Sequence, residues 1–207
     1  MTLKIHGIAA SRAARPLWLL EELGVPYEHV SQTYLGGATR TPAFLALNPN
    51  GHIPVLEDDG VVVWESMAIT LYLARKFGGP LAPANLAEEA EVLRWTFWAM
   101  TECEKDALTV LMHRVAMPAD RRDAALAAQA EGNLGRPLDV LEAHLATRPY
   151  LAGERFTVAD VNVASVLGWA QVSRKLMEAH PQVAAWLERC QARPAQRKVR
   201  QLAKEGR

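Results

Sequence analysis

Three short stretches hold residues whose types and spacing bear on chemistry: Ser11 and Arg12 in IAASRAARP, His52, Ile53 and Pro54 in NPNGHIPVLED, and Glu65 and Ser66 at the end of VVVWES. Proline cannot donate to a sheet ladder, so Pro54 at the head of PVLED belongs to an edge strand, to a first strand position or to a deliberate irregularity of the backbone. Ser66 opens a helical pattern. That puts a hydroxyl and a backbone N–H at the positive end of a helix dipole, a place suited to a carboxylate, with Glu65 beside it. From the residues alone, the other reading is an ordinary N-cap with an incidental glutamate. Ser11 falls between the first strand pattern and the first helix pattern, where serine is either a turn or cap residue or a hydroxyl presented to a ligand. The six histidines show no metal-ligand spacing and no Gly-rich phosphate loop occurs, so no metal is expected. Cys103 and Cys190 lie far apart in helical patterns and read as reduced, packed residues.

The elements that would position these residues change character near residue 78. LKIHGI reads as a strand, PLWLLEELG as a helix started by Pro16 and stopped by Gly24, and YEHVSQTY as a second strand. After the loop LGGATRT and a short helix PAFLALN come PVLED and VVVWE, joined by the hairpin signal DDG, and then the helix SMAITLYLARKFG. GGPLAP is punctuation of the kind that separates domains, and the remainder is helical by pattern, with Pro118, Pro137, Pro149, Pro181 and Pro194 as expected boundaries or kinks. The division expected is an α/β domain over 1–79 and an all-α domain over 85–207. In GERFTVADV, Thr157 and Asp160 make a capping box and Phe156 with Val161 a hydrophobic staple, which is a folding signal.

Composition narrows the classes. Of 207 residues, 23 Lys plus Arg balance 23 Asp plus Glu, so no field favours nucleic acid or an anionic membrane. The N-terminal MTLKIHGI has no leader pattern and no apolar run is long enough to span a bilayer, so the chain reads as cytoplasmic.

In order and spacing, these pieces resemble the cytosolic glutathione transferases over essentially the whole length: a thioredoxin-like βαβαββα domain with Ile-Pro ahead of the third strand and Glu-Ser after the fourth, then a helical domain with Thr-x-x-Asp opening its buried helix. The resemblance implies that Pro54 is cis and that Ile53 presents its main chain to the cysteinyl part of glutathione as an added strand would. It implies that Ser66 and Glu65 hold the γ-glutamyl end, and that His52 or Arg40 meets the glycyl carboxylate. Ser11, four residues before Arg15, has the spacing of the serine-using theta and delta classes, and would donate a hydrogen bond to the thiolate sulfur. Arg12 departs from the family pattern and either adds positive potential there or signals that backbone N–H groups or Arg12 itself do the activating, while Arg15 reads as a structural anchor.

The same resemblance puts a small hydrophobic electrophile against Ala10, Trp98, Glu102 and Trp169, although aromatic residues at the helical spacing of Trp95, Phe97, Trp98 and Met100 equally suit a core or a dimer interface. It implies glutathione as co-substrate and a homodimer. The same site would also serve a glutathione-dependent isomerase, dehalogenase, lyase or peroxidase, and the fold serves elsewhere as a non-catalytic interaction module. The basic C-terminal RPAQRKVRQLAKEGR reads as a surface helix.

Overall fold

The structure, a computed structural model, describes residues 3–206, which fall into two units. One is made of the chain up to Ala82 together with Ala192 onward, and the other is Pro83–Gln191. This differs from the expected division in one respect: the C-terminal helix belongs with the first unit rather than with 85–207.

In the first unit, β1 (Leu3–His6) pairs parallel with β2 (Glu28–Val30) and antiparallel with β3 (Val55–Asp58), which pairs antiparallel with β4 (Val61–Trp64), giving the order β2-β1-β3-β4. The first two strands are shorter than their apolar runs suggest. DDG forms the hairpin as expected, with Asp59 and Gly60 as a two-residue loop at φ 47° and 90°, the paired left-handed conformations that match the twist of the flanking strands. Helix α1 (Ala14–Leu23) holds Pro16 in its first turn, where no N–H is needed, and stops at Gly24 in the left-handed conformation. LGGATRT is a 3₁₀ stretch, Leu35–Arg40, kinked at Gly36 and Gly37, and leads into α2 (Pro42–Leu47), capped by the Thr41 hydroxyl accepting from Phe44 N–H at 3.3 Å. Helix α3 (Ser66–Phe77) packs on α1 and returns to the sheet through Asp58, a buried carboxylate that accepts from Tyr72 Oη at 2.7 Å and from Lys76. Burial pushes the Asp58 carboxyl up, but the Lys76 and Tyr72 donors outweigh it and hold the group below its ordinary range.

The C-terminal helix α10 (Pro194–Lys204) lies on α1 for a visible reason. Its apolar stripe buries Val199 and Leu202, Arg193 makes a two-pronged pair with Glu22 at 2.6 and 2.8 Å, and Lys198 meets Glu21 at 2.7 Å. An amphipathic pattern predicts that such a helix covers something but not what it covers.

The secondary structure of the second unit is helical apart from an isolated bridge between Tyr150 and Gly153. Helix α4 (Leu86–Trp98), capped by Asn85, continues through a π-helical turn (Ala99–Cys103) into α5 (Glu104–Leu111) and a second π turn (Met112–Ala116), so this helical run is twice locally underwound. Helix α6 (Ala124–Leu145) runs straight past Pro137, which therefore marks no boundary, whereas Pro181 and Pro194 each open a helix: α9 (Pro181–Gln191) and α10. The remaining helices are α7 (Val158–Leu167) and α8 (Arg174–Ala179).

The capping box forms as read from the sequence. Thr157 Oγ1 accepts from Ala159 N–H, and Thr157 N–H donates to Asp160 Oδ2 at 2.9 Å. Asp160, fully buried, also accepts from Leu151 N–H at 3.1 Å and from Trp186 Nε1 at 2.9 Å, so one carboxylate ties the start of α7 to the preceding loop and to α9. Burial pushes its carboxyl up against those donors. Phe156 and Val161 are both buried, as the staple requires. Two ion pairs close the unit: Arg155 with Glu88, and Arg114 with Glu131 in two-pronged geometry at 2.9 and 2.8 Å.

Candidate functional site

Gly7 leaves the end of β1 with φ 142°, and a Cβ added there would lie 2.6 Å from Ala13 Cβ and 3.3 Å from Ile53 Cβ. This absent side chain lets the loop that carries Ser11 and the loop that carries Ile53 approach each other. No sequence motif announces Gly7, and a lone glycine after an apolar strand was the available signal.

From Gly7 the chain turns through Ile8 to Ser11, whose N–H and hydroxyl both donate to the Ile8 carbonyl, at 3.1 and 2.7 Å, and whose Oγ accepts from Ala13 N–H at 3.1 Å. Ser11 is thus held as a turn residue ahead of α1, half-buried, with its hydroxyl oxygen directed by two contacts. Ala10 and Arg12 on either side are exposed.

The second stretch is organised by Asn48, a buried residue beyond the end of α2. Its Nδ2 donates to the His52 carbonyl at 2.8 Å and its Oδ1 accepts from Asn50 N–H at 3.0 Å, so one side chain shapes the whole turn. The Ile53–Pro54 peptide is cis, as the resemblance implied. Ile53 is half-buried, and no turn or loop hydrogen bond among the described residues uses its main chain. Arg40 is brought to this turn: its Nη1 would lie 2.8 Å from a Cβ on Gly51, which adopts φ 64°, so glycine leaves room for the guanidinium beside exposed His52.

Third, Ser66 is the first residue of α3, and Glu65 before it is exposed at φ 71°, uncommon for a residue with a side chain. Ser66 itself is buried. Its Oγ accepts from Arg15 Nη1 at 3.0 Å, so the hydroxyl is backed by a buried guanidinium from α1 rather than turned outward as expected. Arg15 is the structural anchor its position suggested. Through Gly7 and Arg15, the segments carrying Ser11, Ile53 and Ser66 are joined in one unit.

The residues assigned to the electrophile do not gather in the same way. Trp98 and Glu102 line a groove of about 560 Å³ with Thr101, Arg136, Pro137 and Val140, all in the second unit. Trp169 follows the end of α7 rather than lying on it, is half-buried, and is not part of that groove. Trp95 is core, with its ring 5.1 Å from Trp98 and 4.7 Å from His144, whereas Phe97 and Met100 are exposed. Cys103 and Cys190 are buried, free cysteines, and burial together with Glu102 and Asp106 pushes the Cys103 thiol up, away from reactivity. Among the described residues no cluster of His, Cys, Asp or Glu is placed to hold a metal, and no helix is long and apolar enough to cross a membrane.

Known proteins share this fold and are similar in sequence. The family models described as "Glutathione S-transferase, N-terminal domain" and "Glutathione S-transferase, C-terminal domain" match residues 1–75 and 104–194. Among similar proteins, glutathione S-transferase 3 of Zea mays is 38% identical over 95% of this chain and 92% of its own length. GstB of Escherichia coli K12 is 31% identical over 92% and 93%. Among solved structures, a theta class glutathione S-transferase from Xanthomonas axonopodis pv. citri, with glutathione bound, superposes with a TM-score of 0.87 at 35% identity, covering 95% of this chain and 96% of that one. The chain belongs to the glutathione S-transferase family.

Proposed function

We propose that the chain binds glutathione in its first unit and adds the thiolate to a small hydrophobic electrophile, as a serine-using transferase of theta or delta type. The observation that carries this reading is the joining of the Ser11, Ile53 and Ser66 segments through Gly7 and Arg15. Ile53 offers main-chain N–H and C=O groups to an extended tripeptide. Ser66, at the N-terminus of the 12-residue α3, offers backbone N–H groups and a helix dipole to the γ-glutamyl carboxylate, and Glu65 a counter-charge to the neighbouring ammonium. Arg40, close to Gly51, and His52 suit the glycyl carboxylate.

A free thiol ionises near pH 8.5, and each pH unit of depression corresponds to about 1.4 kcal/mol of preference for the thiolate. The hydroxyl proton of Ser11 rests on the Ile8 carbonyl. An ionised sulfur is a stronger acceptor than a neutral carbonyl, so Ser11 turns its O–H to the bound sulfur while Ala13 N–H continues to hold its oxygen. The thiol proton leaves to solvent, and Arg12 adds positive potential. The thiolate then forms a carbon–sulfur bond as the electrophile's leaving group departs, or as its activated double bond takes up a proton from water. In the second unit, Trp98 and Glu102, which share a groove, are the proposed electrophile contacts.

A homodimer is proposed as well, since Val61, Val62 and Trp64 on the edge strand β4, and Leu93, Phe97 and Met100 in the second unit, are exposed apolar surface that a second copy would cover. Sedimentation equilibrium that finds only monomer at micromolar concentration contradicts it.

Retention on immobilised glutathione, followed by turnover of 1-chloro-2,4-dinitrobenzene, tests the function. Elution by free glutathione and saturable conjugation are expected. A folded protein that is not retained contradicts the reading and leaves a non-catalytic module.

A further inference from the structure

The β2 strand holds both main-chain groups of Gly7. Gly7 N–H donates to the Val30 carbonyl at 3.0 Å, an ordinary continuation of the β1/β2 ladder. The Gly7 carbonyl is held differently, by the side chain of His29, whose Nε2 lies 2.7 Å away. A carbonyl only accepts, so Nε2 carries the proton and donates. Among the described residues the other ring nitrogen, Nδ1, is buried without a hydrogen-bond partner, and the ring's one directed contact there is the one to Gly7. That contact fixes the plane of the Gly7–Ile8 peptide. The next carbonyl along, that of Ile8, accepts both donors of Ser11. Gly7 is also the point where Ala13 and Ile53 close in. A rotation of the Gly7–Ile8 peptide would therefore move the Ser11 hydroxyl relative to the Ile53 loop, where the sulfur of the tripeptide is proposed to sit.

We propose that His29 is a positioning residue for thiol activation: its Nε2–H clamps the Gly7 carbonyl and so sets the direction of the Ser11 hydroxyl toward the glutathione sulfur. This rests on the serine reading given under the proposed function. His29 touches neither glutathione nor the electrophile in this account. It acts through the loop, so its loss affects ionisation and turnover more than binding of the tripeptide, whose other contacts lie on the Ile53 and Ser66 segments.

The test compares His29→Phe, which keeps a ring without a donor, with His29→Gln, whose amide keeps an N–H near the place of Nε2. The readouts are the pKa of the glutathione thiol bound to the full chain, from ultraviolet difference spectra, and kcat and KM for glutathione with 1-chloro-2,4-dinitrobenzene. The phenylalanine variant is expected to raise the bound thiol pKa by about half to one unit and to lower kcat about three- to tenfold, with KM for glutathione within about twofold. His29→Gln is expected to recover most of the loss. On a Ser11→Ala background the His29 substitution is expected to add little, because both act on one hydrogen bond. If His29→Phe does not fold, His29→Leu supplies the same loss of the donor.

A natural protein that depresses the thiol pKa, with variants lacking the His29 donor that depress it equally, overturns this inference and leaves the serine reading intact. So does an effect of the same size on the Ser11→Ala background. A natural protein that binds glutathione with an unshifted thiol, or a Ser11→Ala variant that ionises the thiol as well as the natural one, overturns the serine reading and this inference with it.

Discussion

In the first unit the residues placed for chemistry sit on loops or at the start of a helix, and three of them are fixed by directed contacts: Arg15 to the Ser66 hydroxyl, Asn48 to the His52 carbonyl, Ser11 to the Ile8 carbonyl. In the second unit the most elaborate polar arrangement lies at the buried start of α7, where Asp160 gathers donors from Thr157, Leu151 and Trp186. In one case buried groups support polar atoms near the surface. In the other, polar atoms support burial. The difference separates two kinds of fragility. Loss of a contact in the first unit should misplace a group while the chain stays folded, whereas loss of Asp160 should leave three donors stranded in the core.

The largest expected effect breaks the second unit. Asp160→Ala removes the acceptor for those donors and should lower the unfolding free energy by about 3 to 5 kcal/mol, measured by urea denaturation. Survival of the variant with near-natural stability would remove the contrast between the units. Next is Gly7→Ala, which places a Cβ 2.6 Å from Ala13 Cβ at φ 142° and should cost about 2 to 3 kcal/mol. Turnover in the folded fraction should fall too, since Ala13 and Ile53 must yield.

Arg15→Met keeps the apolar stem and removes the donor to Ser66. It should raise KM for glutathione about tenfold, equivalent to about 1.4 kcal/mol, with a smaller effect on kcat. An unchanged KM would detach Ser66 from the tripeptide.

The smallest effect is graded and depends on pH. The carboxyls of Glu88 and Glu131 are held below their ordinary range by Arg155 and Arg114, and that of Asp58 by Lys76 and Tyr72 against its burial. Groups depressed in the folded state contribute stability that is complete above their unfolded values, near pH 4, and is lost as pH falls through the lowered ones. Denaturation midpoints should therefore be flat from about pH 5 upward as far as these groups are concerned, and fall below about pH 4. Glu131→Gln should flatten part of the acid slope.

Much of this was legible in the sequence where one residue type has few ways to behave. Asp59 and Gly60 announced a tight hairpin because both positions need left-handed backbone, Thr157 and Asp160 announced a helix start, and Pro54 at the head of a strand announced an irregularity. Other features depend on partners that periodicity does not name. The apolar stripe of α10 required a surface and its charges required acids, but only the folded chain supplies Glu21 and Glu22 of α1. The π turns at Ala99–Cys103 and Met112–Ala116 hold no glycine or proline, so no residue in them announced a departure from the α-helix. Asn48, Gly7 and His29 were invisible as site residues because each acts on a main-chain group, and a single Asn, Gly or His carries no spacing.

The central claim is that the Ser11 hydroxyl ionises a bound thiol. The direct measurement is the ultraviolet difference spectrum of glutathione bound to the natural protein and to Ser11→Ala across pH. The thiol pKa is expected to be depressed by about one unit or more in the natural protein, and largely restored toward the free value of about 8.5 in the alanine variant, which still binds glutathione. A natural protein that binds glutathione with its thiol unshifted, or an alanine variant that ionises it equally well, would contradict the claim and make Ser11 a turn residue only.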